Sequence, residues 1–235
     1  MKDFFMFQSL TPAPHFSPEH IMWLTGAAGL VLWVYYMGSI GYPARRSVGQ
    51  VLLICEASRV LALFFAGELD RGFLPLHLCG AAVYACTFHS AAGGALLGEL
   101  IYSTLAPGAL IALLFPDWLR YSPKSFIYLS SFGIHILICA YGTALLAEGF
   151  RPQRRRLGKC LLCLVLYAMA VAVLDKLLDV NYLFLAQPAP GSPLEWAAGF
   201  LPWHGLIYPP ALAAIWMLLY NPWVLRRIGN KPLLP

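Results

Sequence analysis

The sequence predicts an all-α protein, a polytopic membrane bundle of about seven transmembrane helices, and three observations carry that prediction. Of 235 residues, 60% are hydrophobic and only 11% are charged, whereas about a quarter of a soluble globular domain is charged. Seven stretches approach the roughly 20 apolar residues needed to cross about 30 Å of hydrocarbon. The basic residues fall in short clusters between those stretches rather than on one continuous face, which excludes a nucleic-acid binder despite a formal charge of +5.

The N-terminal segment, residues 1–19, carries Asp3 and three prolines ahead of any apolar run. It lacks the apolar core of a removable signal peptide and is expected to be retained. The spans follow at residues 21–42, 48–67, 73–89, 92–115, 125–147, 158–180 and 203–220. The third is the shortest. Only Ser90-Ala91-Ala92-Gly93-Gly94 separates it from the fourth, so these two stretches could instead form a tight hairpin or a broken helix. No internal period and no soluble insert is visible, and residues 1–235 read as a single helical domain.

Orientation follows from the charges that flank the spans. Arg45 and Arg46, then Arg151, Arg154, Arg155, Arg156 and Lys159, then Arg226, Arg227 and Lys231 all fall on one side if the spans number seven. The opposite side receives only Lys2, Arg71, Arg120 and Lys124. This predicts an N-terminus outside and a cytoplasmic C-terminus. The loop at 181–202, with Pro188, Pro190, Gly191 and Pro193 but no Lys or Arg, belongs outside.

Ionisable groups within spans are expensive in hydrocarbon, so each is paired or part of a working site. Glu56 and Arg59 stand three apart on one helical face and are expected to pair, with a headgroup or substrate anchor as their alternative use. Glu99 lies in the cytoplasmic half of span four without a local partner, and it must reach a neighbouring helix or Arg59. In Leu74-Pro75-Leu76-His77-Leu78-Cys79 a proline fixes the start of span three, placing Cys79 roughly 9 Å below its outer end. His135, about ten residues into span five from the same side, lies roughly 15 Å deep and can meet it. Asp175, Lys176, Asp179, Asn181 and His204 gather at the outer ends of spans six and seven, and all these groups converge in the outer half of one bundle.

Six cysteines, at 55, 79, 86, 139, 160 and 163, lie almost entirely in apolar runs, where packing as free thiols is the ordinary use. Cys160 and Cys163 form a CxxC without a second ligand pair, a weak metal or redox signal. Cys79 differs because His77 and His135 can both reach it. A thiol becomes a nucleophile beside an imidazole that supplies base and cation. Mixed N, O and S groups would also suit zinc, but no HExxH or similarly spaced pair exists, so no metal is assigned and no cofactor is expected.

The His77-Leu78-Cys79 segment, His135, and the stretch from Asn181-Tyr182-Leu183-Phe184-Leu185 to Pro188 ahead of Pro202-Trp203 resemble the bacterial YwaF-like integral membrane proteins. These look related to the eukaryotic transmembrane protein 164 family. The resemblance spans the chain from about span two to the C-terminus. It implies an intramembrane lipid acyltransferase moving acyl chains between donor and acceptor phospholipids, with a more distant similarity to androgen-induced lipid hydrolases. Carried over, Cys79 becomes the nucleophile and His135 the base, with His77 as the alternative base. Lys176, Asp175, Asp179, Asn181 and His204 become candidates for holding substrate, Lys176 and Asn181 at the oxyanion or phosphate. The implied location is the cytoplasmic (inner) membrane of a bacterium. A proton-linked transporter, or a metal-binding membrane protein using the same polar cluster, is the competing reading.

Overall fold

The computed structural model describes residues 14–229. Lys2, Lys231 and most of the N-terminal segment lie outside them. Helix α1 (Pro18–Ser39) opens on Ser17, whose hydroxyl accepts from the His20 N–H at 3.3 Å, with Pro18 in the first turn. Helix α2 (Ala44–Ala66) stops at Gly67, left-handed at φ 70°. Then come α3 (Leu78–Ala92), α4 (Ala95–Leu100), α5 (Ala106–Leu114), α6 (Phe126–Ala147) and α7 (Leu157–Leu178). The short α8 (Pro193–Ala198) lies in the long loop, followed by α9 (Tyr208–Leu219) and α10 (Pro222–Gly229).

Five runs are long and apolar enough to cross a membrane: α1, α2, Ala95–Arg120, α6 and Arg154–Leu178. The third and seventh predicted spans are shorter apolar helices. Instead of starting near Phe73, the third begins at Leu78, because a 3-10 turn (Arg71–Phe73) and an irregular stretch through Pro75 occupy its first residues. Likewise the seventh begins with a 3-10 turn (His204–Ile207), and its α-helix starts at Tyr208, where Pro209 can sit without a lost hydrogen bond. Gly93 and Gly94, at φ 71° and 113°, turn the chain between α3 and α4, a conformation that side chains with a Cβ resist.

Between α4 and α5 the helix widens into a π turn (Ile101–Leu105). Its cause is local. Pro107 has no N–H for the Ser103 carbonyl four residues back, and the Trp216 indole of α9 donates to that carbonyl at 3.2 Å. The proline thereby creates an acceptor that ties α9 to the bundle.

Helix α6 is the central post, packed by α1, α2, α3 and α5. Over half of its apolar window is buried (56%), against 11% for Arg154–Leu178. The outer face of α7 consequently presents Leu161, Leu162, Val165, Leu166, Met169 and Val173. Helices that satisfy their own backbone and show aliphatic side chains outward are what hydrocarbon permits. The chain is an integral membrane protein.

Candidate functional site

At one end of α2, α3, α5 and α6, a cavity of about 460 Å³ opens between the helices. Cys79, His77 and His135 all line it, together with Glu56, Arg59 and Asp117. This is within the size range of small-ligand pockets. The start of α3 delivers His77 and Cys79 to it, and α6 delivers His135.

Cys79 is the second residue of α3. The irregular stretch before it folds back so closely that a Cβ on Gly80 would lie 2.8 Å from the Pro75 Cα and 2.9 Å from its carbonyl carbon and oxygen. Only glycine admits that approach, and it holds the α3 N-terminus against the cavity. No side chain caps this terminus, so its first-turn N–H groups retain the capacity and partial positive charge to receive an oxygen from a ligand. The Cys79 thiol makes no hydrogen bond among the described residues, and all six cysteines are free.

His135 is fixed more firmly. Its Nδ1 lies 2.7 Å from the Ser131 carbonyl one turn back. A carbonyl can only accept, so Nδ1 carries the proton and Nε2 keeps its lone pair. The Trp118 indole lies over the ring with centroids 4.4 Å apart and planes at 30°. Trp118 belongs to a 3-10 turn, Asp117–Arg120, that follows α5. The same turn brings Asp117 into the cavity, where it and Arg59 act electrostatically on His77, Cys79 and His135 alike.

Glu56 and Arg59 pair as their spacing predicts, through two bonds: Nε to Oε2 at 2.9 Å and Nη2 to Oε1 at 2.7 Å. Glu56 is fully buried, while Arg59 stays partly accessible at the cavity wall. The planar fork holds the guanidinium in one orientation.

The remaining sequence-predicted residues build the loop beside the cavity. None of Asp175, Lys176, Asp179, Asn181 and His204 lines it. Asp175 is buried, and its Oδ1 accepts from the Tyr182 N–H at 2.9 Å. Asp179 ends α7 in the left-handed region at φ 54°, and Lys176 is exposed. Asn181 bonds within the loop, donating to the Gln187 carbonyl and accepting from the Ala186 N–H. His204 Nε2 donates to the Phe184 carbonyl at 2.6 Å. Tyr182 donates its hydroxyl to the Arg71 carbonyl; burial pushes this phenol above its ordinary pKa and keeps the proton on it. These bonds seat Phe184 at the cavity and the rings of Tyr182 and Phe184 against His77, at 5.3 and 5.7 Å between centroids.

Glu99 does not reach Arg59. It lies at the opposite end of the bundle, fully buried, and accepts from Arg156 at 3.1 Å, from the Gln153 N–H and from the Tyr220 hydroxyl. Among the described residues no three of His, Cys, Asp and Glu gather closely enough to hold a metal ion.

The model of the TMEM164 family matches residues 15–220. The chain belongs to the TMEM164 family. That match covers every helix from α1 to α9 and all the cavity-lining residues, so the resemblance seen in a few short motifs extends over nearly the whole bundle. No match was found among curated proteins or among solved structures.

Proposed function

We propose that this TMEM164-family protein is an intramembrane phospholipid acyltransferase that carries the acyl group as a thioester on Cys79, with His135 as the base. Membership of the family is consistent with a membrane acyltransferase-like role. The observation that carries the residue assignment is the shared cavity, in which the His135 imidazole has its proton committed to Ser131 and its Nε2 lone pair left to accept another.

His135 takes the thiol proton as the sulfur attacks the ester carbonyl of a donor phospholipid. A C–S bond forms, the ester C–O bond breaks, and His135 returns the proton to the departing lysolipid oxygen. An acceptor hydroxyl then gives its proton to His135 and attacks the thioester; the C–S bond breaks, and the leaving thiolate takes that proton back from His135. Water in place of that hydroxyl would make the reaction a hydrolysis. The uncapped first turn of α3 is suited to stabilise the oxyanion of both steps. Arg59, held by Glu56, is suited to a phosphate, and Ile127 and Ile134 offer an apolar wall for an acyl chain. His77 is the alternative base, its ring placed against those of Tyr182 and Phe184 at the cavity.

The same reading has the two shorter helices also crossing the membrane, which makes seven spans. The N-terminus and the thiol cavity then face outside, and the basic clusters face the cytoplasm of a bacterium. What supports it is the one-sided distribution of arginines; cysteine-accessibility mapping that found residues 151–159 exposed outside would overturn it.

The acyl-transfer test uses purified protein in phospholipid nanodiscs, a donor lipid with a labelled acyl chain, and a lysophospholipid acceptor. Labelled diacyl product and a hydroxylamine-sensitive adduct on Cys79 are expected, and both vanish in Cys79→Ala. Truncating this small side chain strands no charge and should leave the fold intact. Wild-type rates in a Cys79→Ala protein of unchanged thermal stability would refute the thiol mechanism.

A further inference from the structure

The bundle carries a second pocket, at the end opposite Cys79. It has a volume of about 330 Å³ and lies where the start of α2, the end of α3, the start of α4 and the segment after α6 come together. Arg45, Arg151 and Arg156 line it, with His89, Ala95 and Gln153, and no carboxylate is among its lining residues. The thiol cavity, by contrast, is lined by Glu56, Asp70 and Asp117 as well as two arginines.

Each arginine is anchored from behind. Arg156 spends Nη1 on the buried Glu99, at 3.1 Å. The Arg45 Nε lies 3.4 Å from Glu148, whose other oxygen accepts the Arg45 main-chain N–H at 2.6 Å. Arg151 donates to the Ile228 carbonyl. His89 is buried and hydrogen-bonded through Nδ1 to the Tyr141 hydroxyl at 2.9 Å. A guanidinium offers five donors, so Arg156, bonded to Glu99 through one nitrogen, and Arg45, held beside Glu148 by an ion pair and its main-chain N–H, keep donors for the pocket. The side chains of Arg45 and Arg156 are 33% and 21% exposed, accessible to a ligand but not spread into solvent.

We propose that this pocket binds a phosphate group, either the headgroup of an anionic phospholipid or a free phosphate ester. Three guanidiniums line the pocket, and the two carboxylates that pair with them, Glu99 and Glu148, are not among its lining residues; arginine bonds phosphate oxygens through two parallel N–H groups. The pocket shares no lining residue with the thiol cavity, and the site stands whatever chemistry Cys79 performs.

The test uses the full chain in phosphatidylcholine nanodiscs, with two probes: phosphatidylglycerol incorporated into the nanodisc, and glycerol phosphate added in solution. Native mass spectrometry and thermal unfolding read the result. Saturable binding with a raised unfolding temperature is expected from at least one probe. Stabilisation by phosphatidylglycerol alone assigns a lipid headgroup, and stabilisation by glycerol phosphate assigns a free ester; either supports the site. Ala95→Glu places an anion in the pocket without removing any bond and should weaken binding about 10-fold or more, the loss expected of one charge-assisted contact. Arg45→Gln, which keeps its main-chain bond to Glu148, should weaken it comparably and serves where Ala95→Glu fails to fold. No binding of either probe, or binding unchanged in a folded variant, overturns the proposal.

Discussion

The two ends of one helical bundle handle charge in opposite ways. At the end containing Glu99, a fully buried carboxylate collects a guanidinium, a main-chain N–H and a phenol, and Arg154 adds a bond to the Tyr220 carbonyl. The Glu99 carboxylate and the Arg154 guanidinium there hold α4, α7 and α9 together, and the arginine donors that remain face the second pocket. At the other end the Cys79 thiol has no hydrogen-bond partner among the described residues, His135 has one nitrogen committed, and Asp117 and Arg59 face a cavity. Groups left unspent beside a cavity are available to a substrate, and that difference supports the proposal that acyl transfer takes place at the thiol end.

The comparison breaks most readily at His135. His135→Ala should lower acyl transfer by about 100-fold or more, the contribution expected of a positioned base, measured as initial rate in nanodiscs. His135→Gln should be equally inactive while restoring an acceptor and donor in a polar site, which separates loss of the base from loss of fold. A variant that retained activity while His77→Gln lost it would transfer the base role to His77.

Glu99→Ala probes the other end and should act on stability instead. Removing one partner of a buried ion pair costs about 3–5 kcal/mol; because Arg156 is 21% exposed and can regain water, about 2 kcal/mol is expected here. The readout is a lowered unfolding temperature in detergent, with the reactivity of Cys79 toward a lipid-like electrophile unchanged. If thiol labelling fell as steeply as stability, the two ends would be one cooperative unit and not separable.

Gly80→Ala lies between these extremes. The new methyl would press on the Pro75 backbone at 2.8 Å, which cannot swing aside as a side chain could, and about 1–3 kcal/mol of strain is expected. Because Gly80 adjoins Cys79, activity should fall more than the stability loss explains. A fully active Gly80→Ala protein would show that the close approach does not set the position of the thiol.

Much of this arrangement is legible in the sequence, and the remainder fails for identifiable reasons. Apolar length locates α1, α2, the Ala95–Arg120 run, α6 and the Arg154–Leu178 run, and i,i+3 spacing predicts the Glu56–Arg59 pair. The late starts of α3 and α9 are harder, because 3-10 and irregular residues such as Phe73 and Ile207 are as apolar as the helices they precede. Asp117 is missed since a carboxylate after Pro116, just past a span, looks like an ordinary solvated loop charge. Its signal was its neighbour Trp118, an indole that a solvated turn has little reason to bury. The partners of Glu99 are tertiary and lie 54 or more residues away. Spacing predicts that Asp175 and Asp179 share a helix face, but α7 ends at Leu178 and Asp179 caps it in the left-handed region, exposed while Asp175 is buried.

The smallest expected effect is the most discriminating for the loop. Asp175 and Lys176 are adjacent in sequence, yet consecutive residues on a helix point about 100° apart, and only Asp175 turns inward. Its carboxylate holds the Tyr182 N–H, and the Tyr182 hydroxyl and His204 in turn fix the segment that carries Phe184 to the cavity. Asp175→Ala should therefore cost about 1–3 kcal/mol of stability and reduce activity through a displaced loop, with Asp175→Asn recovering part of both because the amide oxygen still accepts. Lys176→Ala should leave acyl transfer within about two-fold of wild type and stability within about 0.5 kcal/mol, as for other exposed surface changes. The measurement is a side-by-side rate and unfolding temperature for the three variants. A Lys176→Ala protein that lost activity while Asp175→Asn kept it would mean that the exposed ammonium meets the substrate directly, and that α7 rotates toward the cavity when lipid is bound.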